Sequence, residues 1–546
     1  MNGNDQIAMI LKSEGVEWLA CYPSNPLIES CAQVGIRPIA FRHERGAVMA
    51  ADGFSRVNDR GAFGVVAVQS QAGAENALGG VAQAFGDNTP ILVLPGGVLL
   101  NQIAVSPNYS AVKNYGGVTK SLEAIYRPAD INSAMRRAFS ALRNGSGGPV
   151  VVELMTDVCA ADVSDDAAGG YRSPAVSRSQ PESASITAAA RHLLEASRPV
   201  IWAGGGVLFS GATNELAELS RLAAAPVFTT MQGKSAFNER HPMSLGAGGM
   251  TTTGQAHQFL TSCDVLMALG SSLTRTPYGQ RVPRDATLIQ NTEDPTALNK
   301  DENVDLALLG DTKLTLVALV EEVARQLDGD VRDSARVEAE IAEIRAAWMA
   351  EWEPLLSSDA QPLNTYRVIR EIDENLDNDN SIVTHDAGAP RDSIVPFYTA
   401  TTPHSYVGWG KTTHLGAGIP LMIGAKMAHP DRFCLNLMGD GAFGMSGTDV
   451  ETSARSGAAI TTVLLNNGGM ATYPPAGFPT AREQYGVSHM LGDYAKIAEG
   501  MGATGITVTT PAELADALSS AQQLNSEGKA VLIDAHSDME GKRSRF

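Results

Sequence analysis

The sequence has little of what marks disulfide-stabilised, metal-finger or membrane-spanning proteins. Its five cysteines, at positions 21, 31, 159, 263 and 434, are scattered and form no CxxC pair. This pattern argues against a disulfide framework and against a zinc site. The most apolar stretch, residues 90–100, contains Pro95 and two glycines and is too short to span a bilayer. The start, MNGNDQIAMILKSEGVEWL, has the pattern of an amphipathic helix rather than of a signal peptide, so we expect a cytoplasmic protein with no membrane partner.

Basic residues are also in deficit. The formal net charge is −19, with 41 Lys and Arg against 60 Asp and Glu. Such a balance disfavours binding to nucleic acid and to anionic membrane surfaces. It leaves room for a small anionic substrate, because a site can be locally basic. The 44% of apolar residues is typical of a globular protein, and 546 residues are enough for about three or four domains.

Strand and helix patterns alternate along the chain. Short apolar runs such as AFGVVAVQS and TPILVLPGG are separated by helical stretches, which predicts parallel α/β sheets. Residues 163–184 are rich in Ser, Ala, Asp, Gly and Pro and have the composition of a linker. A charged helix is expected at 331–352. We therefore predict three doubly wound α/β domains, at residues 1–165, 185–330 and 360–546.

The sharpest pattern is the run from Met438 to Met470, MGDGAFGMSGTDVETSARSGAAITTVLLNNGGM. One buried strand ends at GDG, a helix is predicted at about 447–456, and a second buried strand ends at NN. Parallel strands finish at the same edge of a sheet, so Asp440 and Asn467 are expected to converge there. A carboxylate and an amide oxygen suit Mg²⁺ that also binds phosphate oxygens, and glycines let backbone N–H groups approach a diphosphate.

This run resembles the thiamine-diphosphate motif, which begins with GDG and ends with NN at this separation. The resemblance covers nearly the whole chain and implies a pyrimidine-binding, a central and a diphosphate-binding domain. It implies thiamine diphosphate and Mg²⁺ as cofactors, with Asp440, the Asn467 side chain and the Gly469 carbonyl as metal ligands. The string FRHERGAVMAADGFSR resembles the N-terminal segment of the acetolactate synthase-like branch, which implies that Glu44 contacts N1′ of the aminopyrimidine and activates the cofactor.

The same resemblance supplies further candidates. The strings THDAGAP and GWGKTTHLGAGIP are similar to the family's loops that touch the diphosphate and the thiazolium, and Leu415 is the candidate apolar wedge. The complete predicted cofactor set is Glu44, Gly388, Leu415, Gly439, Asp440, Gly441, Ala442, Asn467, Gly469 and Met470. The predicted catalytic set is Glu44, Gln69 and Tyr109, and the substrate set is Ser24, Asn25, Gln69, Asn108, Tyr109 and Tyr473.

The resemblance leaves the reaction open. Gln69 stands where acetolactate synthases are expected to carry threonine and benzoylformate decarboxylases histidine. Acetolactate synthases are expected to carry a glutamine after the fifth strand of the first domain, and Asn108 or Tyr109 takes its place here. They are also expected to carry a tryptophan after the NN strand, and the stretch MATYPPAGF lacks it. The first interpretation is an acetolactate synthase-like decarboxylase or carboligase of 2-oxo acids. The motif GDGAFGMSG also looks close to oxalyl-CoA decarboxylases and 2-hydroxyacyl-CoA lyases, so a lyase acting on a 2-hydroxyacyl-CoA is the alternative.

Two further expectations come from the family. Some members bind FAD or a CoA adenylate in the central domain, but no motif here supports either. The pyrimidine and diphosphate ends are held by different subunits in the family, so we expect a homodimer or homotetramer. A catalytically silent paralogue is the third alternative, although Glu44, Asp440 and Asn467 are all present.

Overall fold

The chain forms three β-sheets of six strands each, flanked by helices. The structure is a computed structural model that describes residues 1–164, 170–470 and 477–546. The N-terminal sheet contains β1 (Trp18–Cys21), β2 (Arg37–Ala40), β3 (Gly64–Val68), β4 (Ile91–Gly97), β5 (Ser121–Ile125) and β6 (Pro149–Met155). The central sheet contains β7 (Pro199–Ala203), β8 (Val227–Thr230), β9 (Ser244–Gly248), β10 (Val265–Leu269), β11 (Thr287–Thr292) and β12 (Leu306–Leu309). The C-terminal sheet contains β13 (Ser381–His385), β14 (Tyr406–Val407), β15 (Phe433–Gly439), β16 (Thr461–Asn466), β17 (Thr504–Val508) and β18 (Val531–His536).

The helices alternate with these strands. Those up to the linker are α1 (Gly3–Ser13), α2 (Leu27–Gln33), α3 (Glu44–Arg56), α4 (Ala72–Gly86), α5 (Ala111–Asn114), α6 (Ile131–Arg143) and α7 (Thr156–Ala160). The middle of the chain contains α8 (Ser183–Glu195), α9 (Gly205–Phe209), α10 (Thr213–Ala223), α11 (Gly254–Ser262), α12 (Thr312–Gln326) and α13 (Ala335–Leu356). The remainder contains α14 (Thr365–Asn375), α15 (Ala389–Ile394), α16 (Gly418–Ala428), α17 (Asp440–Ser446), α18 (Asp449–Ser456), α19 (Pro479–Tyr485), α20 (Tyr494–Gly500) and α21 (Pro511–Ser526).

The N-terminal and C-terminal sheets share one strand order. It is β2-β1-β3-β4-β6-β5 in the first and β14-β13-β15-β16-β18-β17 in the last, whereas the central sheet has the order β12-β11-β10-β7-β8-β9. The described strand pairings within all three sheets are parallel. The prediction of an α/β fold with three parallel sheets is confirmed.

Burial explains the apolar runs of the sequence. Strands β3, β6, β7, β10 and β13 are buried along their whole length. A parallel sheet is covered by helices on both faces, so its inner strands need apolar side chains on both sides and show no alternation. Within the described ranges, none of the helices combines the length and apolarity needed to cross a membrane.

The chain divides into two compact units that are not continuous in sequence. The first unit contains Met1–Ser177, Ile419–Pro430 and Ser446–Ala459, and the second contains Arg178–Gly418, Asp431–Met445 and Ile460–Phe546. The N-terminal sheet therefore packs with α18 and most of α16, which come from far along the chain. Contiguous boundaries at 1–165, 185–330 and 360–546 stay a prediction.

Glycine makes the packing inside the first unit possible. A Cβ on Gly424 of α16 would fall on the carbonyl oxygen of Ala50, and one on Gly53 of α3 would fall on the carbonyl oxygen of Leu421. Any side chain at these two positions would push the helices apart, because the contact is with backbone that cannot move alone.

The region after β15 differs from its prediction in one respect. A single helix was expected at about 447–456, but the structure has α17 at Asp440–Ser446 and then α18 at Asp449–Ser456. Asp440 is the first residue of α17, and its Oδ1 accepts a hydrogen bond from the Gly441 N–H at 2.7 Å. Acidic residues favour a helix start for this reason, and the glycine pair of GDG hid the helix from the sequence pattern.

Candidate active site

Two neighbouring strands of the C-terminal sheet bring Asp440 and Asn467 to one edge. Strand β15 ends at Gly439 and β16 ends at Asn466, and the two pair in parallel with Gly439 opposite Leu465. The next residue after each strand carries the polar side chain. The order β13-β15-β16 places a further loop, which begins at Asp386, at the same edge.

The oxygens of Asp440 and Asn467 converge on a single backbone group. The Gly469 N–H donates to Asp440 Oδ2 at 3.2 Å and to Asn467 Oδ1 at 3.2 Å. Asp440 is only 3% exposed, and burial raises the pKa of its carboxyl, while nearby backbone N–H groups oppose this. A buried carboxylate beside an amide oxygen is a donor pair that a hard divalent cation would stabilise. The residues present therefore fit Mg²⁺.

The predicted cofactor residues of the second unit surround one cavity. Its empty space, counted together with the part that is open to solvent, is about 740 Å³. Nine predicted residues line it: Gly388, Leu415, Gly439, Asp440, Gly441, Ala442, Asn467, Gly469 and Met470. A Cβ added to Gly441 would meet nothing nearer than Met470 Cγ at 3.8 Å, so this glycine leaves open space beside Asp440. The cavity fits a ligand with a diphosphate at its Asp440 end.

The cavity has seven further lining residues that were not named individually from the sequence: Tyr278, Ala387, Ala389, Pro390, Arg391, Thr413 and Leu465. Ala387, Ala389, Pro390 and Thr413 belong to the strings THDAGAP and GWGKTTHLGAGIP that were matched to cofactor loops, whereas Tyr278 and Arg391 lie outside every quoted string. Tyr278 lies in the loop between β10 and β11. Its position at the cavity depends on tertiary packing, which no local sequence pattern predicts. Arg391 stands in the string APRD directly after Gly388, where a buried cation could have been suspected from its place near a predicted phosphate loop.

Glu44 occupies the corresponding edge of the N-terminal sheet. It is the first residue of α3, is 4% exposed, and its Oε2 accepts a hydrogen bond from Asn76 Nδ2 at 3.0 Å. A Cβ on Gly73 would lie 2.6 Å from Gln69 Cβ and 3.3 Å from Glu44 Oε1. The absence of a side chain at Gly73 lets Glu44 and Gln69 approach each other, and Gln69 is solvent-exposed.

Tyr109 lies near the first turn of α4, where the charge of Glu75 acts on it. Its hydroxyl is buried and has no hydrogen-bond partner among the residues the structure describes. Burial, together with the negative charges of Glu75 and Glu153, raises the pKa of Tyr109. The neighbouring Tyr115 hydroxyl donates to the Ala74 carbonyl in the first turn of α4. Tyr109 thus has a protonated hydroxyl with unused hydrogen-bonding capacity.

The positions of the remaining substrate candidates give less support to a role in substrate binding. Asn25 is 5% exposed, and its Nδ2 donates to the carbonyls of Val68 and Leu94, so its amide bonds to the end of β3 and to the middle of β4. Ser24 beside it is exposed. Asn108 Nδ2 donates to the Gln102 carbonyl. Tyr473 lies outside the described residues.

The glycines after β7 allow close packing of the protein's own backbone. A Cβ on Gly204 would fall on the Gly270 carbonyl oxygen, and one on Gly206 would lie 2.7 Å from Gly270 Cα. A Cβ on Gly233 would lie 2.5 Å from the Ala203 carbonyl oxygen. Binding of FAD or of a CoA adenylate in the central domain stays without support.

Three sequence profiles of one enzyme family match the chain in succession. The N-terminal TPP binding domain of the thiamine pyrophosphate enzymes matches residues 1–112, their central domain matches 186–319, and their C-terminal TPP binding domain matches 386–535. The chain therefore belongs to the thiamine pyrophosphate enzymes. The predicted family is confirmed, and thiamine diphosphate is its cofactor.

Within this family the chain is similar to acetolactate synthases. It is 29% identical to the probable acetolactate synthase large subunit of Methanocaldococcus jannaschii, over 95% of this chain and 90% of that protein. It is 27% identical to the acetolactate synthase isozyme 3 large subunit of Escherichia coli, over 98% and 95%. The large subunit from Lactococcus lactis is 28% identical, over 98% and 92%. The acetolactate synthase-like interpretation is confirmed, and neither the CoA-lyase nor the silent-paralogue alternative is favoured.

Proposed function

We propose that this enzyme decarboxylates a 2-oxo acid and joins the remaining fragment to a second carbonyl compound, with Mg²⁺ anchoring thiamine diphosphate. The observation that carries the proposal is the convergence of Asp440 and Asn467 oxygens in a cavity lined by nine predicted cofactor residues. The bound cofactor supplies the nucleophilic carbon that attacks the carbonyl. The protein must bind, orient and protonate around that carbon.

The diphosphate end belongs to the C-terminal sheet in this proposal. Asp440, the Asn467 side chain and the Gly469 carbonyl hold Mg²⁺, which neutralises the diphosphate charge. Gly439, Gly441 and Ala442 would offer their backbone to the phosphate oxygens, because two of them lack a side chain and the third has only a methyl group. Support comes from the donor chemistry of Asp440 and from the open space beside Gly441.

The apolar part of the cavity orients the rest of the cofactor. Leu415 and Met470 line the cavity, and Gly388 lies directly before α15. Leu415 would be the apolar wedge that orients the rings of thiamine diphosphate. An aliphatic side chain suits this task because it fills volume without competing for protons.

Glu44 holds the proton of the pyrimidine end. With thiamine diphosphate bound, its carboxyl would share a proton with N1′ of the pyrimidine and so favour activation of the cofactor. The geometry supports this role, because Asn76 engages Oε2 while Oε1 faces the side where Gly73 lacks a side chain. A single amide partner orients the carboxyl without neutralising it.

Most of the predicted substrate residues, including Gln69 and Tyr109, belong to the first unit. Gln69 is an exposed neutral hydrogen-bonding group beside Glu44, and the unpartnered Tyr109 hydroxyl is a second donor. Ser24, Asn108 and Tyr473 remain substrate predictions. Asn25 is the weakest of the set, because its amide already bonds to Val68 and Leu94.

Cofactor and substrate are tested together. Calorimetry of the purified protein should detect thiamine diphosphate binding only with Mg²⁺ present. Product analysis should then show turnover of a 2-oxo acid from a panel of pyruvate, 2-oxobutyrate and benzoylformate. A 2-hydroxyacyl-CoA, tested in the same assay, serves as the contrasting substrate. Turnover of the CoA thioester alone would reject the 2-oxo acid assignment.

Assembly as a homodimer or homotetramer is part of the proposal. Chains carrying Glu44→Gln and chains carrying Asp440→Ala should each be inactive alone. If each site takes Glu44 from one subunit and Asp440 from another, mixed dimers regain one intact site. An inactive mixture, with exchange of subunits verified by mass spectrometry, would assign each site to a single chain. Cytoplasmic location stays a prediction.

A further inference from the structure

Arg391 is a buried cation on the wall of the cofactor cavity. It lies in α15, directly after Pro390, and is 4% exposed. The ring of Tyr278, another lining residue, lies 4.6 Å from the centre of the guanidinium. An aromatic face against a guanidinium fixes its plane and leaves its edge for hydrogen bonding.

The hydrogen bonds of Arg391 are incomplete. Its Nε and Nη2 both donate to Asp392 Oδ1, at 2.8 and 2.6 Å. Its Nη1 is buried and has no hydrogen-bond partner within residues 1–164, 170–470 and 477–546. A guanidinium carries five N–H donors, so an edge with two donors is unused. Buried donors of a charged group are costly to leave unpaired.

The charges around Arg391 do not balance either. The second oxygen of Asp392, Oδ2, accepts from Arg545 Nη2 at 3.3 Å. One carboxylate therefore serves two guanidiniums, and the group of three retains a surplus positive charge. Arg391 is its buried member, and Arg545 is half exposed to solvent. Water can stabilise the charge of Arg545, but the charge of Arg391 needs a partner inside.

The other charge on the cavity wall has the opposite sign. Among the lining residues, Arg391 is the cation and Asp440 the anion, and the structure shows no ion pair between them across its described ranges. A cavity with two separate, unneutralised charges is complementary to a ligand that brings a cation to one and an anion to the other. Mg²⁺ is the proposed partner of Asp440.

We propose that Arg391 binds an oxyanion of the ligand in this cavity through Nη1, with Tyr278 and Asp392 holding the guanidinium in place. This inference rests on the proposed function for the identity of the ligand. The oxyanion has two sources of the same chemistry, the diphosphate of the cofactor and the carboxylate of the 2-oxo acid. Each would form a charge-assisted hydrogen bond with Nη1.

The test replaces Arg391 by Met, which keeps an unbranched stem and removes the charge, and by Lys, which keeps the charge and loses the planar donor edge. Arg545→Gln is the matched control, because it removes the other guanidinium from Asp392 and leaves the cavity wall intact. All variants are first compared with the wild type by circular dichroism and thermal unfolding. Arg391→Lys keeps the test valid if the Met variant does not fold.

Two readouts separate the sources. Calorimetry with Mg²⁺ gives Kd for inorganic pyrophosphate and for thiamine diphosphate, and steady-state kinetics gives KM for the 2-oxo acid that the wild type turns over. A diphosphate contact raises both Kd values about 10- to 100-fold in Arg391→Met. A carboxylate contact leaves Kd unchanged and raises KM by a similar factor, more than it lowers kcat.

The inference is overturned if Kd and KM both keep wild-type values in a folded Arg391→Met protein. It is also overturned if Arg545→Gln produces the same loss, because the effect would then arise from Asp392 and not from the cavity. The pyrophosphate arm is independent of catalysis. Arg391-dependent pyrophosphate binding in a protein that binds no thiamine diphosphate would uphold the oxyanion site and reject the proposed function.

Discussion

The N-terminal and C-terminal sheets have the same strand order but different chemistry after corresponding strands. Counted from its own first strand, each sheet has the order 2-1-3-4-6-5. The third strand is followed by Gln69 in one sheet and by Asp440 in the other. Two sheets of the same topology therefore present a neutral amide, Gln69, at one edge and a buried carboxylate, Asp440, at the other.

The polar residue that follows the first strand shows the same contrast. Asn25, after β1, donates from Nδ2 to the carbonyls of Val68 and Leu94. Asp386, after β13, accepts from the N–H groups of Gly416 and Gly418 at 2.9 and 2.8 Å. Both side chains are buried and both tie neighbouring loops to the sheet, but one is a donor to carbonyls and the other an acceptor from amides.

The comparison separates what topology determines from what it leaves free. Strand order decides which loops meet at the carboxyl edge of a parallel sheet. It does not decide the sign of the groups there. In the proposed function the C-terminal edge takes a cation and a diphosphate, whereas the N-terminal edge presents Glu44 for proton sharing. Four substitutions test this division.

The largest effect is expected for Asp440→Ala at the C-terminal edge. Binding of thiamine diphosphate with Mg²⁺ should be lost, because the diphosphate loses its bridging cation. Titration calorimetry measures this, and Glu44→Gln at the other edge is the control that should bind with only modestly reduced affinity. Wild-type affinity in Asp440→Ala would mean that the two edges do not differ in metal chemistry.

Next in size is Glu44→Gln. An amide cannot share a proton with N1′, so removal of the C2 proton should slow by roughly 10²–10⁴-fold. Quenched NMR of hydrogen–deuterium exchange at C2 measures this step directly. Asn76→Ala is a milder companion variant, since it removes the partner of Oε2 and keeps the carboxyl. If exchange is as fast in Glu44→Gln as in the wild type, Glu44 has no part in activation.

Replacing the hydrogen-bond donor of Asn25 by an acceptor should affect the stability of the fold rather than catalysis. Asn25→Asp is nearly isosteric, but a carboxylate cannot donate to Val68 and Leu94, and it adds a buried charge. We expect a loss of roughly 3 kcal/mol in the free energy of unfolding. Urea unfolding of this variant beside Ser24→Ala, an exposed neighbour, is the measurement. Equal stability of the two variants would remove Asn25 from the architecture of the edge.

The smallest expected effect depends on pH. Asp449 of α18 accepts from the Arg42 N–H at 2.9 Å, and burial raises its pKa from 3.8 to about 6. The native state thus holds this proton more tightly than the unfolded chain. Its stabilising contribution is full below pH 3.8 and is lost as pH rises through about 6, which amounts to about 1 kcal/mol between pH 5 and 7.

Asp449→Asn abolishes this titration. The stability of the variant relative to the wild type should therefore increase by about 1 kcal/mol from pH 5 to pH 7. Urea unfolding of both proteins at the two pH values gives the difference. Parallel pH dependence of wild type and variant would show that Asp449 does not titrate in this range.

The sequence predicted the fold class and the family because both depend on local patterns. Apolar runs between helices predict parallel strands. Asp440 and Asn467 directly follow two strands that are neighbours in the sheet, as their spacing in the sequence predicted. The structure places Glu44 at a helix start, as the local pattern predicted, whereas its role in activation stays a prediction from the family resemblance. Contacts between distant segments were not predictable in this way.

Arg391 and α18 illustrate that limit. The stacking of Arg391 on Tyr278 joins helix α15 to the loop between β10 and β11, and no periodicity in the sequence predicts such a contact. Likewise, α18 follows the GDG motif in sequence but belongs to the first unit. The boundaries inferred from composition assume contiguous domains, whereas helix docking is decided by glycines such as Gly46, where a Cβ would fall on the carboxylate of Asp449.

The division of the first unit among three stretches of chain has a consequence for recombination. A gene fragment that ends near residue 177 would encode the N-terminal sheet without α16 and α18. A chimera with a single crossover between codons 178 and 418 would pair one parent's α3 with the other parent's α16. Such hybrids should survive only where both parents keep glycine at the equivalents of Gly53 and Gly424, so shuffling libraries of these enzymes need paired crossovers that transplant both helices together.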